Sequence, residues 1–412
     1  MKYLVVLGRQ PEISIAELEA QFNDVRRVSE RLAIITSAGD GSGRGPQNVL
    51  RSKNFGEGEE PAGPAENIDR FGGVLKFAVE LTKSPLEYLA GLLDGKITIG
   101  VSDYSKGASK KSVTLEALKL KKILVRHGRS VRVVENKDAI LSTATSLHNG
   151  LSGKNERKVE LIKVNNDWYR VIGVQDIDAY AKRDQARPAR DAKVGMLPPK
   201  LAQVLINLCG PLKPGSVVLD PFCGTGVVLQ EALLMGYHAY GTDISERMIE
   251  YTERNLKWLF REHCDQRGAC AASPVTTGAS VARSRNNPFQ ISIGDATSFQ
   301  WSQPIDAVAC EGYLGKPFSK VPTDMELKEQ KQECGAIVTG FLKNLAEQIK
   351  KDTPVVIAVP AWLRLDGLYE RLDILDEIQD MGYNVNNKTR EGLLYHRDDQ
   401  VVARDIIILR KK

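Results

Sequence analysis

The sequence lacks the features that would place it in several specialised classes of protein. It has six cysteines among 412 residues and no C-x-x-C pair, the spacing typical of zinc ribbons and of thiol redox motifs. It also has no run of roughly 18 or more apolar residues, which a membrane-spanning helix needs, and no secretory signal pattern. We therefore expect a cytoplasmic protein with reduced, structural thiols and with no membrane or metal partner.

One group of residues resembles a set of metal ligands, namely His263, Cys264 and Cys270. These residues lie in a tract rich in Gly, Ala and Ser, and their spacing is not one that zinc sites prefer. The sequence therefore predicts no metal site.

The chain as a whole also has little excess of charge, with 57 Lys and Arg against 52 Asp and Glu, a net charge of +5. The charge is unevenly distributed, because residues 101–200 hold 21 basic and 11 acidic residues. Such asymmetry is typical of a face that binds a polyanion, and solvated helix faces give the same pattern. The length and the 42% of hydrophobic residues indicate two or three globular domains.

The N-terminal residues predict a ferredoxin-like α+β domain over residues 1–70. A helix is expected near residues 14–22, where Ser14 and Glu17 have the spacing of a capping box. Residues 37–67 carry seven Gly and three Pro, a composition that predicts a flexible insertion.

Residues 71–175 predict a second α+β unit, whose role would be binding. Its basic helix over residues 111–127 is expected to turn Leu115, Leu118 and Leu124 inward. Four basic side chains of that helix are then available to phosphate groups: Lys119, Lys121, Lys122 and Arg126.

The pattern changes in the C-terminal half. Residues 176–200 are polar and charged and end in two prolines before an apolar helix, which predicts a linker. Over residues 201–412, strands and helices alternate as in a mostly parallel, doubly wound sheet. Residues 262–290 are rich in Gly, Ala and Ser and predict a surface insertion.

The most informative stretch is Asp-Pro-Phe-Cys-Gly-Thr-Gly at residues 220–226. It follows an apolar strand and precedes a helix, and Gly224 and Gly226 allow the backbone to approach a ligand closely. Because a ligand of such a sheet lies beyond the carboxyl ends of the strands, Asp220 is expected at a ligand site.

Two further acids follow at the ends of predicted strands. Asp243 comes about 23 residues after Asp220, the usual distance of an acid that holds ribose hydroxyls, and Asp295 is expected to accept a hydrogen bond from an adenine amino group. A nicotinamide site is disfavoured, because Leu229 occupies the third glycine position of G-x-G-x-x-G and Asp220 would repel a pyrophosphate. An acid at this place suits a methionine ammonium, so the pattern predicts an S-adenosylmethionine site.

With these motifs the chain resembles the THUMP-containing tRNA guanosine N2-methyltransferases, the class that modifies guanosine 10. The resemblance rests on residues 220–226, on Arg-Pro-Ala-Arg-Asp-Ala-Lys-Val-Gly-Met-Leu-Pro-Pro-Lys at residues 187–200 and on Leu-Gly-Arg-Gln-Pro-Glu-Ile-Ser at residues 7–14. It implies an α/β fold: a Rossmann-like class I methyltransferase domain with a mostly parallel seven-stranded sheet, preceded by the α+β N-terminal and THUMP-like domains. It also implies that residues 71–175 grip the acceptor end of tRNA, and it leaves open a small activating subunit.

The resemblance also implies individual contacts. Residues 187–200 match the segment that closes over the methionine end of the cofactor, and Arg187 and Arg190 within it are expected to contact tRNA. The expected cofactor-binding residues are Asp220, Pro221, Phe222, Cys223, Gly224, Gly226, Asp243, Ile244, Asp295, Ala296 and Glu311.

The catalytic loop departs from the family, whose Asp-Pro-Pro-Tyr-Gly is replaced here by Glu-Gly-Tyr-Leu-Gly at residues 311–315. Glu311 is expected to accept a hydrogen bond from the exocyclic amino group of guanine and so to aim its nitrogen at the sulfonium methyl. Tyr313 is expected to stack on a base turned out of its helix, and Lys316 to neutralise a phosphate. Packing in the core for Tyr313 and exposure to water for Lys316 are the alternatives.

The sequence thus predicts a tRNA methyltransferase that makes N2-methylguanosine, at position 10. Two alternatives stay open. One is a tRNA-binding protein of the same fold whose altered loop is inactive, and the other is a DNA amino-methyltransferase, which would use the same kind of cofactor loop.

Overall fold

The computed structural model describes residues 2–36, 68–191, 196–267, 288–386, 393–397 and 400–412. The predicted insertion at residues 37–67 lies outside the described residues, as does the part of the second predicted insertion over residues 268–287. The chain forms two compact units, Met1–Tyr180 and Ala181–Lys412.

The first unit is built on one mixed sheet of eight strands. Its elements are β1 (Lys2–Leu7), α1 (Pro11–Gln21), β2 (Val25–Ser29), β3 (Leu32–Thr36), β4 (Val74–Glu80), α2 (Pro85–Ala90), β5 (Ile97–Asp103), α3 (Lys110–Arg126), β6 (Val131–Val133), α4 (Thr143–His148), β7 (Lys158–Val164) and β8 (Asp167–Val174). The strands lie in the order β2-β3-β1-β4-β8-β7-β5-β6, and β5 is parallel to β6 and β7. Because β1 pairs with β4, the segments predicted as separate domains share one sheet, and the structure places no boundary at residue 70.

A fully buried ion pair lies within this sheet. The Lys76 ammonium donates to both carboxylate oxygens of Glu160, at 2.7 and 2.9 Å, and the hydroxyls of Ser102 and Ser146 donate to the same carboxylate. Since a buried charge is costly unless it is paired and hydrogen-bonded, this arrangement holds β4, β5 and β7 in one specific register.

Helix α1 begins before the predicted capping box. Its N-cap residue is Gln10, so Ser14 and Glu17 lie inside the helix and the predicted box is wrong. The buried Glu17 carboxylate instead accepts the amides of Gly72 and Gly73, at 2.9 and 2.8 Å. A contact with a distant part of the chain has thus replaced the local one that the spacing suggested.

The second unit begins within helix α5 (Ile177–Gln185), so the predicted linker at 176–200 is partly helical. Its further elements are α6 (Pro199–Leu208), β9 (Val217–Asp220), α7 (Val227–Leu234), β10 (His238–Asp243), α8 (Glu246–Arg267), β11 (Phe289–Ile293), β12 (Ala307–Glu311), α9 (Asp324–Ala346), β13 (Pro354–Leu363), β14 (Tyr369–Arg371), α10 (Leu375–Asp380), β15 (Tyr383–Val385), β16 (Leu394–Tyr395) and β17 (Val402–Lys411). Helix α8 therefore continues into the segment predicted as an insertion.

The sheet of the second unit has the order β11-β10-β9-β12-β13-β17-β15, with β14 beside β13 and β16 beside β17. The first five strands of this order are parallel, and β17 is antiparallel to its neighbours β13 and β15. The predicted α/β class is confirmed. The sheet has nine strands where seven were expected, because the short strands β14 and β16 add to the continuous order.

The core of this unit explains the apolar runs of its strands. All but the last residue of β13 are buried, as expected for a strand covered on both faces. Helix α9 contributes Val338, Phe341 and Leu342 to the cluster beneath it. Within the described ranges, every helix is too short or too polar to cross a membrane.

Candidate functional site

The strand order of the second unit reverses at β9, which lies between β10 and β12. In an open parallel sheet, ligands bind beyond the carboxyl ends of the strands at this point. Strand β9 ends at Asp220, β10 at Asp243 and β12 at Glu311. The structure therefore brings three predicted acids to one edge of the sheet, and we term this edge, with the loops that follow the three strands, the crevice.

The glycine-rich loop after β9 packs against α8. Gly226 is the N-cap residue of α7 and has a φ of +81°, a conformation that residues with a side chain rarely adopt. A Cβ atom at Gly226 would lie 2.9 Å from Cγ2 of Thr252, and the Thr252 hydroxyl donates to the Gly224 carbonyl at 2.8 Å. Glycine is thus required at position 226 both by its backbone conformation and by close packing.

Other residues of this loop are packed inward. Pro221 and Cys223 are buried, and burial raises the pKa of the Cys223 thiol well above its ordinary value, with Asp220 and Asp243 adding to the rise. The Phe222 ring packs edge-on against Phe341, with 5.2 Å between the ring centroids. These side chains shape the loop, and the Cys223 thiol stays protonated.

Asp243 holds the same loop from the end of β10. Its Oδ2 accepts the Gly224 amide and its Oδ1 accepts the Ser245 amide, both at 2.9 Å. A carboxylate oxygen has a second lone pair, so Asp243 can fix the loop and still accept a hydrogen bond from a ligand hydroxyl. The adjacent Ile244 is 72% exposed and offers an apolar surface beside this acid.

Asp295 follows β11 in a tight turn. Its Oδ1 accepts the amide and the hydroxyl of Thr297, at 2.9 and 2.8 Å, while Oδ2 has no partner among the described residues. The neighbouring Ala296 is buried, and its carbonyl accepts the Asn344 side-chain amide at 2.9 Å. Oδ2 of Asp295 is therefore available to a ligand amino group just beyond the carboxyl end of β11.

Asp220 is the most buried acid of the crevice, with 2% of its surface exposed. Burial raises its pKa well above the ordinary carboxyl value, and the charges of Asp243 and Glu311 raise it further, against a hydrogen bond from the Phe222 amide. A cation bound in the crevice would oppose both effects, because it favours the ionised form.

Glu311 forms an ion pair with Arg404 of β17. The Arg404 Nε atom donates to Oε1 of Glu311, and the two side chains are 6% and 17% exposed. Oε2 of Glu311 has no partner among the described residues. Glu311 therefore has one oxygen fixed by a guanidinium and one oxygen available as an acceptor.

The loop after Glu311 is anchored to α9. The Tyr313 hydroxyl donates to Glu333 at 3.2 Å, the Gln330 side-chain amide donates to Glu333 at 3.0 Å, and the Lys316 amide donates to Gln330 at 2.6 Å. The Tyr313 ring packs against the core cluster and is only partly accessible. Burial raises the pKa of the Tyr313 hydroxyl, and Glu333 adds to the rise.

This geometry bears on the alternative roles predicted for Tyr313 and Lys316. The Lys316 side chain is exposed, as either of its predicted roles requires. Tyr313 contacts the core, so stacking on a base would have to use the accessible part of its ring.

Arg187 lies behind the glycine-rich loop. Its side chain is 1% exposed, and its Nη1 donates to the Thr225 hydroxyl at 3.4 Å. The buried Nε atom has no hydrogen-bond partner. This burial removes Arg187 from the accessible surface, so it does not lie where a tRNA phosphate would reach it, whereas Arg190 is exposed as its predicted role requires.

Sequence reasoning missed two residues that join distant parts of the site. The buried Asn255 side chain bonds both backbone groups of Ala189, at 3.0 and 2.9 Å, and also donates to the Thr225 carbonyl at 2.8 Å. Arg404 lies far along the chain from its partner Glu311. Neither belongs to a motif, and a single sequence carries no signal that would pair them with the crevice.

The basic helix of the first unit, α3, is oriented differently from the prediction. Leu124 is buried as expected, but Leu115 and Leu118 are 52% and 49% exposed. The buried residues of the helix are Val113, Ala117, Leu120 and Leu124. Three of the predicted phosphate-binding residues are exposed and Lys121 is half-buried.

A groove of about 540 Å³ lies beside this helix. It runs along the edge strand β6 and is lined by three basic side chains and one acidic side chain: Lys96, Lys121, Arg132 and Glu135. The first unit thus presents a basic cleft at the end of its sheet.

Metal ligands are not clustered in the part of the chain that the structure describes. No group of three or more His, Cys, Asp or Glu there is arranged to hold a metal ion. The side chains of His263, Cys264 and Cys270 lie outside the described residues.

Part of the chain matches a protein family. The model of a family described as "DNA methylase" matches residues 134–254, a range that contains the glycine-rich loop and Asp243.

Curated relatives match the chain over partial stretches. A tRNA (guanine(10)-N2)-dimethyltransferase of Methanocaldococcus jannaschii is 32% identical over 158 residues, which are 38% of this chain and 44% of the relative. An enzyme of the same name from Methanothermobacter thermautotrophicus is 49% identical over 76 residues, which are 18% of this chain and 22% of the relative. The chain therefore spans less than half the length of these relatives. The predicted resemblance to tRNA guanosine N2-methyltransferases is confirmed.

Among solved structures, TrmN from Thermus thermophilus aligns over 100% of both chains, with 16% identity and a TM-score of 0.46.

Proposed function

We propose that this chain is an S-adenosylmethionine-dependent methyltransferase that modifies the exocyclic N2 of a guanosine in tRNA, at position 10. The observation that carries the proposal is the meeting of Asp220, Asp243 and Glu311 beside a glycine-rich loop at the reversal point of the sheet. The named activity of the curated relatives supports the choice of substrate.

The crevice suits this cofactor by its charge and by its free acceptors. Asp220 would accept the methionine ammonium, and the charge of the bound cation would offset the cost of burying this carboxylate. Asp243 would hold ribose hydroxyls through its remaining lone pairs, and Oδ2 of Asp295 would accept the adenine amino group. When bound, the cofactor supplies an electrophilic methyl group on a sulfonium.

Glu311 would position the nucleophile. The lone pair of the guanine amino group is delocalised into the ring, so the nitrogen has to be aimed at the methyl group. Oε2 of Glu311 is free to accept a hydrogen bond from this amino group, and such fixed orientation contributes a large part of catalysis. The anchoring of residues 312–316 to α9 keeps Glu311 and the following loop in place.

The first unit would bind tRNA. Helix α3 exposes Lys119, Lys122 and Arg126, and the adjacent groove contains Lys96, Lys121 and Arg132. Such clusters attract phosphate groups without reading sequence. We also propose a cytoplasmic location, with which a tRNA substrate is compatible.

The proposal is tested with purified protein, S-adenosylmethionine and unmodified tRNA transcripts. Nucleoside mass spectrometry is expected to find N2-methylated guanosine, and Glu311→Gln is expected to lower its rate of formation by about a hundredfold or more. If transcripts of many tRNAs gain no N2-methylguanosine although the protein binds the cofactor, the proposed activity is wrong.

The family match favours one second candidate, a DNA amino-methyltransferase, because the matching family is described as "DNA methylase". A competition between tRNA and duplex or single-stranded DNA of equal phosphate concentration separates the two. Transfer to tRNA alone supports the first proposal, whereas methylated adenine or cytosine in DNA would support the second.

A further inference from the structure

The ion pair between Glu311 and Arg404 crosses a strand of the sheet. Glu311 pairs with Ala358 of β13, and Arg404 pairs with Pro360 of the same strand from its other side. The Arg404 side chain therefore reaches over β13 to contact a residue at the end of β12. An arginine placed two strands away holds the acid that ends the central strand β12.

Arg404 has few other partners. Its guanidinium carbon lies 6.0 Å from the centroid of the Tyr395 ring, and only Nε makes a hydrogen bond, to Glu311, within the described ranges. The side chain is nevertheless 6% exposed. Its burial is thus compensated mainly by Glu311, since a buried charge needs a partner.

Glu311 lies close to another acid of the crevice, because its charge acts on the buried Asp220 carboxyl. Arg404 from β17 supplies a cation that contacts Glu311 directly. A guanidinium bound to one carboxylate oxygen restricts the rotation of the carboxylate, and so fixes the direction of its other oxygen.

We propose that Arg404 is a positioning residue of the methyl-transfer site, which holds one oxygen of the Glu311 carboxylate and directs the other toward the substrate amino group. This inference rests on the proposed function. Residues 312–315 contain no proline that would make the loop after Glu311 rigid. The ion pair with Arg404 would fix the Glu311 carboxylate instead. The Glu311 carboxylate accepts the substrate hydrogen bond, and Arg404 acts through it.

Two substitutions separate the presence of a cation at position 404 from its geometry. Arg404→Gln removes the cation that holds Oε1 of Glu311, so the carboxylate can rotate and its free oxygen is no longer directed toward the substrate amino group. We expect kcat to fall by about tenfold to a hundredfold.

Arg404→Lys keeps the charge and loses the planar guanidinium. We expect this variant to recover part of the kcat lost in Arg404→Gln and to stay roughly tenfold below the wild type, because an ammonium group does not fix the direction of a carboxylate as a guanidinium does. The KM for S-adenosylmethionine is expected to change less than about threefold in both variants, since neither removes a cofactor contact.

Arg371→Gln is a matched control. Arg371 Nη1 pairs with Asp405 at 3.0 Å, and Asp405 is the neighbour of Arg404 in β17. Because side chains alternate between the two faces of a strand, this second pair lies on the opposite face. Its loss is expected to lower the thermal unfolding temperature and to change kcat less than about threefold.

The carbon-13 chemical shift of the Glu311 carboxyl at neutral pH, with Glu311→Gln for assignment, gives a readout that needs no activity. We expect the signal to move in Arg404→Gln, which loses the ion pair, and to stay in place in Arg371→Gln. An unchanged signal in a folded Arg404→Gln protein, or an equal change in Arg371→Gln, overturns the inference. If the wild-type protein methylates no tRNA, the proposed function fails while this signal still decides the role of Arg404.

Discussion

At the scale of single residues, Asp220 is a buried acid of the crevice, with 2% of its surface exposed. Its raised pKa means that the folded protein retains a proton that the unfolded chain releases in the ordinary carboxyl range. The contribution of Asp220 to stability therefore falls as the pH rises from that range through the folded-state pKa. A bound cation reverses this preference, so cofactor binding and proton release are linked.

The linkage predicts proton release on cofactor binding. Calorimetric titrations in buffers of different ionisation enthalpy are expected to show protons released by the wild type and an affinity that rises with pH. In Asp220→Asn, we expect the release to decrease and the affinity to fall by about tenfold to a hundredfold, the worth of a charge-assisted hydrogen bond.

Asp306→Asn is the control for this prediction. Asp306 also accepts one backbone amide, that of Val217 at 2.8 Å, but it lies before β12 at the amino ends of the strands. The same proton release in Asp220→Asn as in the wild type would contradict the assignment of Asp220.

Gly226 provides a second prediction at this scale. Gly226→Ala adds a Cβ atom at a φ of +81° and 2.9 Å from a Thr252 carbon, whereas Gly236→Ala adds one at the same φ with no atom within 4 Å. We expect Gly236→Ala to lower the free energy of unfolding by about 1–2 kcal/mol through backbone strain alone.

Gly226→Ala is expected to cost more than Gly236→Ala and also to weaken cofactor binding. Denaturant unfolding and calorimetry of the two full-length variants check this difference. Equal stability and unchanged cofactor affinity of the two variants would show that close packing at position 226 is unimportant.

At the scale of elements, the loop over residues 312–316 owes its position to α9. Gln330 is 2% exposed and links the Lys316 amide to Glu333, which accepts the Tyr313 hydroxyl. A Cβ atom at Gly315 would clash with the Gln330 side-chain oxygen. The loop and the helix are therefore fitted closely to each other.

This contact predicts that Gln330→Ala lowers kcat by roughly tenfold, because a misplaced loop misaligns the reacting groups, while the cofactor KM stays nearly constant. Lys331→Ala, on the same helix, removes an ion pair with Glu370 and leaves the loop contact intact. Steady-state kinetics of both variants check the prediction. A similar loss of kcat in both would point to a general effect of α9 instead.

The elements also show why the sequence predicted some features and missed others. The loop at residues 220–226 was predictable, because strand, glycines and helix follow one another directly. The capping box at Ser14 and Glu17 was wrong, because Glu17 binds amides 55 and 56 residues away. On α3, Leu115 and Leu118 have the same apolar character as the buried residues, and only packing selects which stripe faces the sheet.

At the scale of the whole molecule, the uneven charge of the sequence corresponds in part to an accessible basic surface. Lys119 and Lys122 are exposed on α3, next to the basic groove along β6. The alternation of strands and helices predicted the α/β class of the second unit. The strands within the first 174 residues form one sheet. This could not be predicted, because β1 and β4, which pair with each other, are separated in sequence by a segment that resembles a linker.

The basic surface predicts a salt-dependent contact with tRNA. Replacing both Lys119 and Lys122 by Glu is expected to weaken tRNA binding and to reduce the slope of log K against log salt concentration by about 1.5, as two phosphate contacts are lost. Cofactor affinity is expected to stay the same. Fluorescence anisotropy over a range of salt concentrations measures the slope.

Replacing Lys350 and Lys351 by Glu gives the same change of net charge at exposed positions of the second unit. An equal reduction of the slope in this control would mean that total charge, and not the α3 surface, governs binding.

The most direct test of the proposed activity uses a tRNA transcript in which guanosine 10 is replaced by inosine. Inosine keeps the ring of guanine and lacks only the exocyclic amino group, so the account predicts that methyl transfer at this position is lost while tRNA binding is unchanged. Continued transfer to the inosine transcript, at the rate of the unmodified tRNA, would contradict methylation of N2 at position 10.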